Sequence, residues 1–293
     1  MGTQFVEQIL IESNPKNFSD LLQVSGLSHG TDVWRNNAQQ LIRNGICGIR
    51  EVVGTRDSIM VYLIRMGVEP KIAFDITEFT RRGRAEALFT EELRRKVKAC
   101  GVKDWYIDSC KKIKYLFPKA HAAAYVMSAI RICWYKLYRP LEYYAAYLTV
   151  RGGDIDMQTA LGGANSAKNA LKELRRKMSE DGKRTVKDED NYTLLQIIAE
   201  MLCRGYEFLP VDLYKSDKTN FLIENGKIRL PFTSIKGIGE NAAKALKEAA
   251  SAGGYLSADE MMSHPGVTPS IIDALDACGA LGSLPKTSQI SLF

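Results

Sequence analysis

The sequence is poor in the features that mark a metal-centred, disulfide-stapled or membrane protein. Its six cysteines, Cys47, Cys100, Cys110, Cys133, Cys203 and Cys278, are scattered, and no CxxC pair occurs. That spacing argues against a thiolate metal centre and a disulfide framework, and reads as reduced thiols of a cytoplasmic protein. A secretory leader and a long apolar run are both missing, so a soluble intracellular chain is expected. A catalytic carboxylate cluster is missing too. The aspartates of Asp154-Ile155-Asp156 follow Gly152-Gly153 in a loop, not on an apolar strand that would fix two carboxylates around a metal pair. They read as a solvated cap or turn.

What is present is a chain of 293 residues, 45% hydrophobic, long enough to bury a core and to divide into two or three domains. The net charge of +6 is modest, but its distribution is uneven. Residues 94–139 hold twelve Lys or Arg against two acids, Asp104 and Asp108, interleaved with Trp105, Tyr106, Tyr115, Trp134, Tyr135 and Tyr138. Cations beside aromatics suit a phosphate backbone with exposed bases. The same pattern fits a solvated helix face whose aromatics turn into the core, and composition does not choose between the two.

Periodicity and punctuation predict mostly helix over the first 150 residues. One helix starts after Asn17 and ends at Gly26; a second is capped by Thr31-Asp32 and runs through Ala38 to Asn44-Gly45. Others open at Arg56, at Thr90 and near His121, the last broken at Arg139-Pro140 before it resumes. Two further helices, Lys168 to Met178 and Asn191 to Cys203, flank a turn at Asp181-Gly182-Lys183. Glu224-Asn225-Gly226 between Asn220–Ile223 and Lys227–Leu230 signals a β-hairpin.

Three stretches carry chemistry. Phe117-Pro118-Lys119-Ala120-His121-Ala122-Ala123-Ala124-Tyr125-Val126 sets a cation, an imidazole and a phenol at the mouth of a helix, over alanines that allow close approach. The first amides of such a helix attract phosphate. At spacings i, i+2 and i+6, Lys119 and Tyr125 are expected nearer one face than either is to His121. A tight packing contact around a buried histidine is the structural alternative. Ile235-Lys236-Gly237-Ile238-Gly239-Glu240-Asn241 matches the hairpin of a helix-hairpin-helix, two glycines around a buried aliphatic whose amides grip one phosphate without reading sequence. Lys236, Gly237, Ile238, Gly239, Asn241 and Lys244 are the candidates there. Pro265-Gly266-Val267-Thr268-Pro269 is a degenerate second copy, expected to pack. The chain ends in Gln289, Ile290, Ser291, Leu292 and Phe293, a polar approach to two apolar anchors.

Several long strings resemble the alpha-subunit family of bacterial DNA polymerase III, and within it the PolC type. They are Gly26-Leu27-Ser28-His29-Gly30-Thr31-Asp32-Val33-Trp34, Arg56-Asp57-Ser58-Ile59-Met60-Val61-Tyr62-Leu63-Ile64, Trp105 to Tyr115, the Phe117–Val126 string and Leu141-Glu142-Tyr143-Tyr144-Ala145-Ala146-Tyr147. The resemblance implies a mainly α fold. It comprises a helical fingers domain (1–150), a helical continuation (151–205), an α+β duplex-binding domain with the helix-hairpin-helix (206–284) and a flexible C-terminal tail (285–293). It also implies the C-terminal portion of a polymerase, with Met1-Gly2 a start imposed on internal sequence.

On this resemblance Arg56, Arg65, Lys119, His121 and Tyr125 contact the incoming dNTP, although the family tends to carry the second arginine where Met66 stands. Lys111, Lys112 and Lys114 join the hairpin on primer-template DNA, while Arg81, Arg82 and Arg84 fit DNA or a solvated loop equally. Gln289–Phe293 holds the sliding clamp (beta), with Ile290 where the family more often has Leu, and other replisome subunits are further partners. The resemblance supplies no catalytic and no metal residue here. Mg²⁺ is expected for the parent enzyme, on palm aspartates upstream of this sequence. A rival reading is a non-catalytic DNA-binding, clamp-tethering protein from a truncated polymerase gene. A helix-hairpin-helix repair nuclease would need the carboxylate cluster that is missing.

Overall fold

Short polar residues just before apolar runs start many of the helices. In a computed structural model, which describes residues 3–152, 155–180 and 185–288, Thr3 caps α1 (Gln4–Ser13) by accepting from the amide of Val6. Asn17 does the same for α2 (Phe18–His29). A kinked π-type turn, Trp34–Ala38, leads into α3 (Gln39–Arg43). Then come α4 (Arg56–Arg65), α5 (Pro70–Arg81), α6 (Ala85–Leu88), α7 (Glu91–Ala99, capped by Thr90), α8 (Asp104–Lys112) and the long α9 (Lys119–Tyr138). The chain divides into two compact units, Met1–Ile132 and Cys133–Phe293.

The core of the first unit holds Trp34, Ile59, Leu63, Ile76, Ile107, Ile113 and Leu116, each with at most 2% of its surface exposed. Two expectations need correction here. α2 does not end at Gly26 but runs through it to His29. The glycine is there for space, since a Cβ on Gly26 would lie 2.1 Å from the carbonyl oxygen of Gly54. The run expected from Thr31 to Asn44 is broken at Arg35, Asn36 and Asn37, whose dihedrals are not helical. The break lets buried Asn37 satisfy its amide: Nδ2 donates to the carbonyls of Asp32 (3.0 Å) and Ser109 (3.2 Å), and Oδ1 accepts from the Ser109 hydroxyl at 2.7 Å.

The second unit takes up the end of α9 and continues through α10 (Pro140–Arg151), α11 (Met157–Leu161), α12 (Gly163–Glu180) and α13 (Val186–Cys203). Asp156 caps α11 by accepting from the Thr159 amide, which is how this aspartate is used; Asp154 lies outside the described residues. The turn expected at Asp181-Gly182-Lys183 lies outside them as well. Thr185 and Asp188 form a capping box on α13. The hairpin comes next, β2 (Leu222–Glu224) antiparallel to β3 (Lys227–Arg229), with β1 (Phe208–Leu209) parallel to β3 on its other edge. Asn225 and Gly226 at the turn both have positive φ (52° and 77°), as a two-residue hairpin loop requires. β1 has only two residues, too few to show a period. α14 (Glu240–Ala252) and α15 (Pro269–Ala277) close over Leu230, Phe232 and Met261. The fold is mainly α, with a small mixed sheet in its second part.

The C-terminal end of α9 is fastened inside this second unit. Lys136 pairs with Glu200 at 2.5 Å, Glu200 accepts from the Tyr144 hydroxyl at 3.2 Å, and Arg204 donates to that hydroxyl at 3.0 Å. Arg204 also donates to the Lys136 carbonyl at 3.2 Å, setting a cation on the carbonyl end of the helix. No helix among the described residues is long and apolar enough to cross a membrane. Gly26→Ala forces α2 and the Gly54 backbone apart, and a loss of about 3 kcal/mol is expected in urea unfolding. An unchanged midpoint would contradict the close approach.

Candidate nucleotide and nucleic-acid interfaces

In the first unit, Pro118 stands just before α9, and the first intrahelical bond runs from the Ala122 amide to its carbonyl at 3.0 Å. Proline has no side-chain acceptor, so it cannot cap the helix it introduces. The acceptor comes from α4: Oδ2 of Asp57 takes the Lys119 amide at 2.7 Å. In return the Arg56 amide donates to the Phe117 carbonyl at 3.2 Å. The two helix N-termini are thereby clasped together. The Arg56 guanidinium, half exposed, lies 3.8 Å from the same Asp57 carboxylate.

Four rings line this corner. His29 stacks on Phe117 with centroids 5.0 Å apart, Phe117 meets His121 edge-on at 4.9 Å, and His121 meets Tyr125 at 4.7 Å. The grouping expected from spacing was therefore misassigned. His121 and Tyr125 are four residues apart, about 40° around the helix, so they share a face and Lys119 is the one set aside. His121 is exposed rather than a buried packing residue. The alanine run packs along one side only, through Ala122 and Val126, both fully buried. His29 Nδ1 lies 2.9 Å from both the Ser25 carbonyl and the Ser28 hydroxyl.

Arg56, Lys119, His121 and Tyr125 belong to elements that meet here; Arg65 does not join them. It lies nine residues beyond Arg56 on α4, about 13.5 Å along the axis and on the opposite side of the helix. Arg81 ends α5 and Arg82 is the first residue of the turn after it, both held by Glu78, at 2.5 and 2.9 Å. Their hydrogen bonds and charge keep the Glu78 carboxyl below the usual carboxylate range, the Arg81 bond contributing most. Arg84 is exposed.

The basic stretch is less free than its composition suggests. Arg94 pairs with Asp104 (2.6 Å) and Asp108 (3.2 Å), Lys98 with Asp104 (2.7 Å) and Lys96 with Glu92 (2.8 Å). Lys112 is tied to the Asn36 carbonyl at 2.9 Å. Among the described residues, Lys111, Lys114 and Lys119 have no carboxylate at ion-pair distance. The aromatics divide: Tyr106 is in the core, whereas Trp134, Tyr135 and Tyr138 are about half or more exposed.

In the second unit, the hairpin before α14 turns through an Ile238 amide to Ile235 carbonyl bond of 3.0 Å, with Gly237 at φ +91° and Ile238 buried beneath it. Gly239 takes the N-cap position of α14 and no side chain caps it. The first amides of the helix are thus left for an outside acceptor. Lys236, Gly237, Gly239, Asn241 and Lys244 are all exposed around this corner. Gly266-Val267 repeats the backbone, again at φ +91° with a turn bond of 3.2 Å from the Val267 amide to His264. There a Cβ on Gly266 would lie 3.0 Å from Ala245 of α14, and Pro269 at the start of α15 brings no N–H. Among the described residues no group of three or more His, Cys, Asp or Glu could hold a metal ion. Gln289–Phe293 lies outside the described residues.

Sequence reading passed over His29 and Asp57 as members of this corner. Both stand in strings that resemble the polymerase family, but nothing in local spacing links them to residues 60 to 90 positions away.

The bacterial DNA polymerase III alpha subunit finger domain family model matches residues 1–100, and the helix-hairpin-helix motif model matches residues 205–290. The chain is 46% identical over 292 residues to the PolC-type DNA polymerase III of Staphylococcus epidermidis strain RP62A and 47% identical to that of Bacillus subtilis strain 168. Staphylococcus aureus strain MW2 has a similar relative, 46% identical. Over its whole length the chain is homologous to PolC-type DNA polymerase III. These matches cover all of this chain and 20% of each PolC protein, so the chain spans about a fifth of its relatives' length. Finger-type and helix-hairpin-helix sequence lie in the same order as the two corners.

The two glycines of the first hairpin are predicted to differ. Gly237→Ala places a Cβ at a left-handed φ and lowers stability by about 1 kcal/mol. Gly239→Ala, at an extended φ of −82° with open space around it, leaves the urea midpoint unchanged.

Proposed function

We propose that this chain is the fingers and duplex-binding segment of a replicative DNA polymerase, the C-terminal portion of a PolC-type alpha subunit in the bacterial cytoplasm. The parent enzyme extends a primer by template-directed nucleotidyl transfer from dNTPs. The single observation that carries the reading is 46–47% identity to PolC-type polymerases over 292 residues, spanning both corners at once.

In this reading the dNTP triphosphate lies at the start of α9, where Lys119, His121 and Arg56 supply donors and charge. Tyr125, ring against ring with His121, lines the nucleotide. Pyrophosphate leaves in the reaction, so cations here stabilise negative charge that grows in the transition state. Arg65 faces elsewhere on α4 and takes part only at a distance. Duplex DNA rests its backbone on Lys236, Gly237, Gly239, Asn241 and Lys244, through amides and charge without reading bases, with Lys111, Lys112 and Lys114 adding phosphate contacts in the fingers. The terminal Gln289–Phe293 engages the sliding clamp. In this reading the Mg²⁺ of the parent enzyme is bound by its palm and not by this segment.

The purified 293-residue chain is expected to bind primed DNA without incorporating dNTPs in the presence of Mg²⁺. Incorporation by the chain alone would overturn this division of labour. Deleting Gln289–Phe293 is expected to abolish clamp binding in surface plasmon resonance while DNA affinity stays within about twofold. Equal clamp affinity after the deletion would refute the assignment of the tail.

A further inference from the structure

We infer that Asp57 is a positioning residue for the nucleotide corner: from the first turn of α4 it caps α9 in trans and so fixes where Lys119 and His121 stand. The inference rests on the proposal that these two side chains contact a triphosphate. It adds a residue that itself touches no nucleotide.

A helix begins with amides that have no partner inside it, and a side chain just upstream normally accepts one of them. α9 cannot do this for itself, because the residue before it is Pro118. Its first amide, that of Lys119, instead donates to Oδ2 of Asp57 at 2.7 Å, across 62 residues of sequence. This is a charge-assisted bond, stronger than one to a neutral acceptor. The same carboxylate lies 3.8 Å from Arg56 Nε, so one group registers the backbone of one candidate cation and the side chain of another. The reciprocal bond from the Arg56 amide to the Phe117 carbonyl, 3.2 Å, makes the clasp two-sided. His121 lies within the same first turn. Without the acceptor that turn frays, and the cation and imidazole lose their common placement before any ligand arrives.

An opposing effect is also set by this geometry. Asp57 is a negative charge beside a site proposed for a polyanion, so by charge alone its removal should tighten binding. Two substitutions separate placement from charge. Asp57→Asn removes the charge but keeps an acceptor for the Lys119 amide; Asp57→Ala removes both.

The test uses the 293-residue chain with two readouts: affinity for dATP·Mg²⁺ by calorimetry, and hydrogen exchange of the amides of residues 119–122. Lys119→Ala serves as the control for the nucleotide corner. Asp57→Ala is expected to weaken dATP about tenfold and to speed exchange at 119–122, while Asp57→Asn restores most of both. If both variants tighten dATP, Asp57 acts as a repelling charge and the inference fails. Unchanged exchange in Asp57→Ala shows that α9 needs no cap from α4 and also overturns it. If dATP binding by the wild-type chain is indifferent to Lys119→Ala, the nucleotide reading fails, and positioning for a triphosphate fails with it. Exchange that still rises in Asp57→Ala would then identify a purely structural cap.

Discussion

The first turn of a helix must find acceptors for amides that the helix itself leaves open, and this requirement organises the molecule. Helices α1, α2, α7, α11 and α13 meet it locally, through Thr3, Asn17, Thr90, Asp156 and Thr185. Helices α5, α10 and α15 reduce it by placing proline in the first turn. The helix at each candidate corner solves it differently. α9 borrows a carboxylate from α4, and α14 begins at a bare glycine. Local capping makes a helix self-sufficient; borrowed or missing caps tie a helix to a neighbour or leave it ready for an anion.

Much of this was legible in the residues. The apolar period and the breaks at Gly and Pro located most helices, and Asn225-Gly226 announced the hairpin because only a few residues tolerate those dihedrals. The motif at Gly237 was readable for the same reason: a tight turn requiring positive φ leaves a glycine behind. What was not legible depended on distant chain. Gly26 looked like a helix end, since sequence cannot show that Gly54 presses against it. Asn37 broke a helix by bonding to Asp32 and Ser109, and Ser109 is 72 residues away. β1 was invisible because two residues have no period.

The corner at the start of α9 illustrates both kinds of information. Lys119, His121 and Tyr125 stand out in their string, but the folded helix groups His121 with Tyr125 and sets Lys119 apart. Phe117 occupies the centre of the ring group, between His29 and His121. The imidazole of His29 comes from another helix, so its place could only be seen once the chain was folded. Composition misled in the opposite sense. The basic stretch suggested a continuous cationic strip, yet Asp104, Asp108 and Glu92 neutralise much of its beginning. Among the described residues, Arg95, Lys103, Lys111, Lys112, Lys114, Lys119 and Arg131 are the cations of that stretch left without a carboxylate at ion-pair distance.

α9 is a single helix of 20 residues, clasped by Asp57 at its first residue and fastened through Lys136 near its last. Each residue added to such a helix turns everything beyond it by about 100° and advances it by about 1.5 Å. A single insertion between Lys119 and His121 would therefore turn the imidazole away from Phe117 while the bond to Asp57 stayed in place. The first turn of α9 thus tolerates exchanged side chains on its open face and does not tolerate a changed residue count.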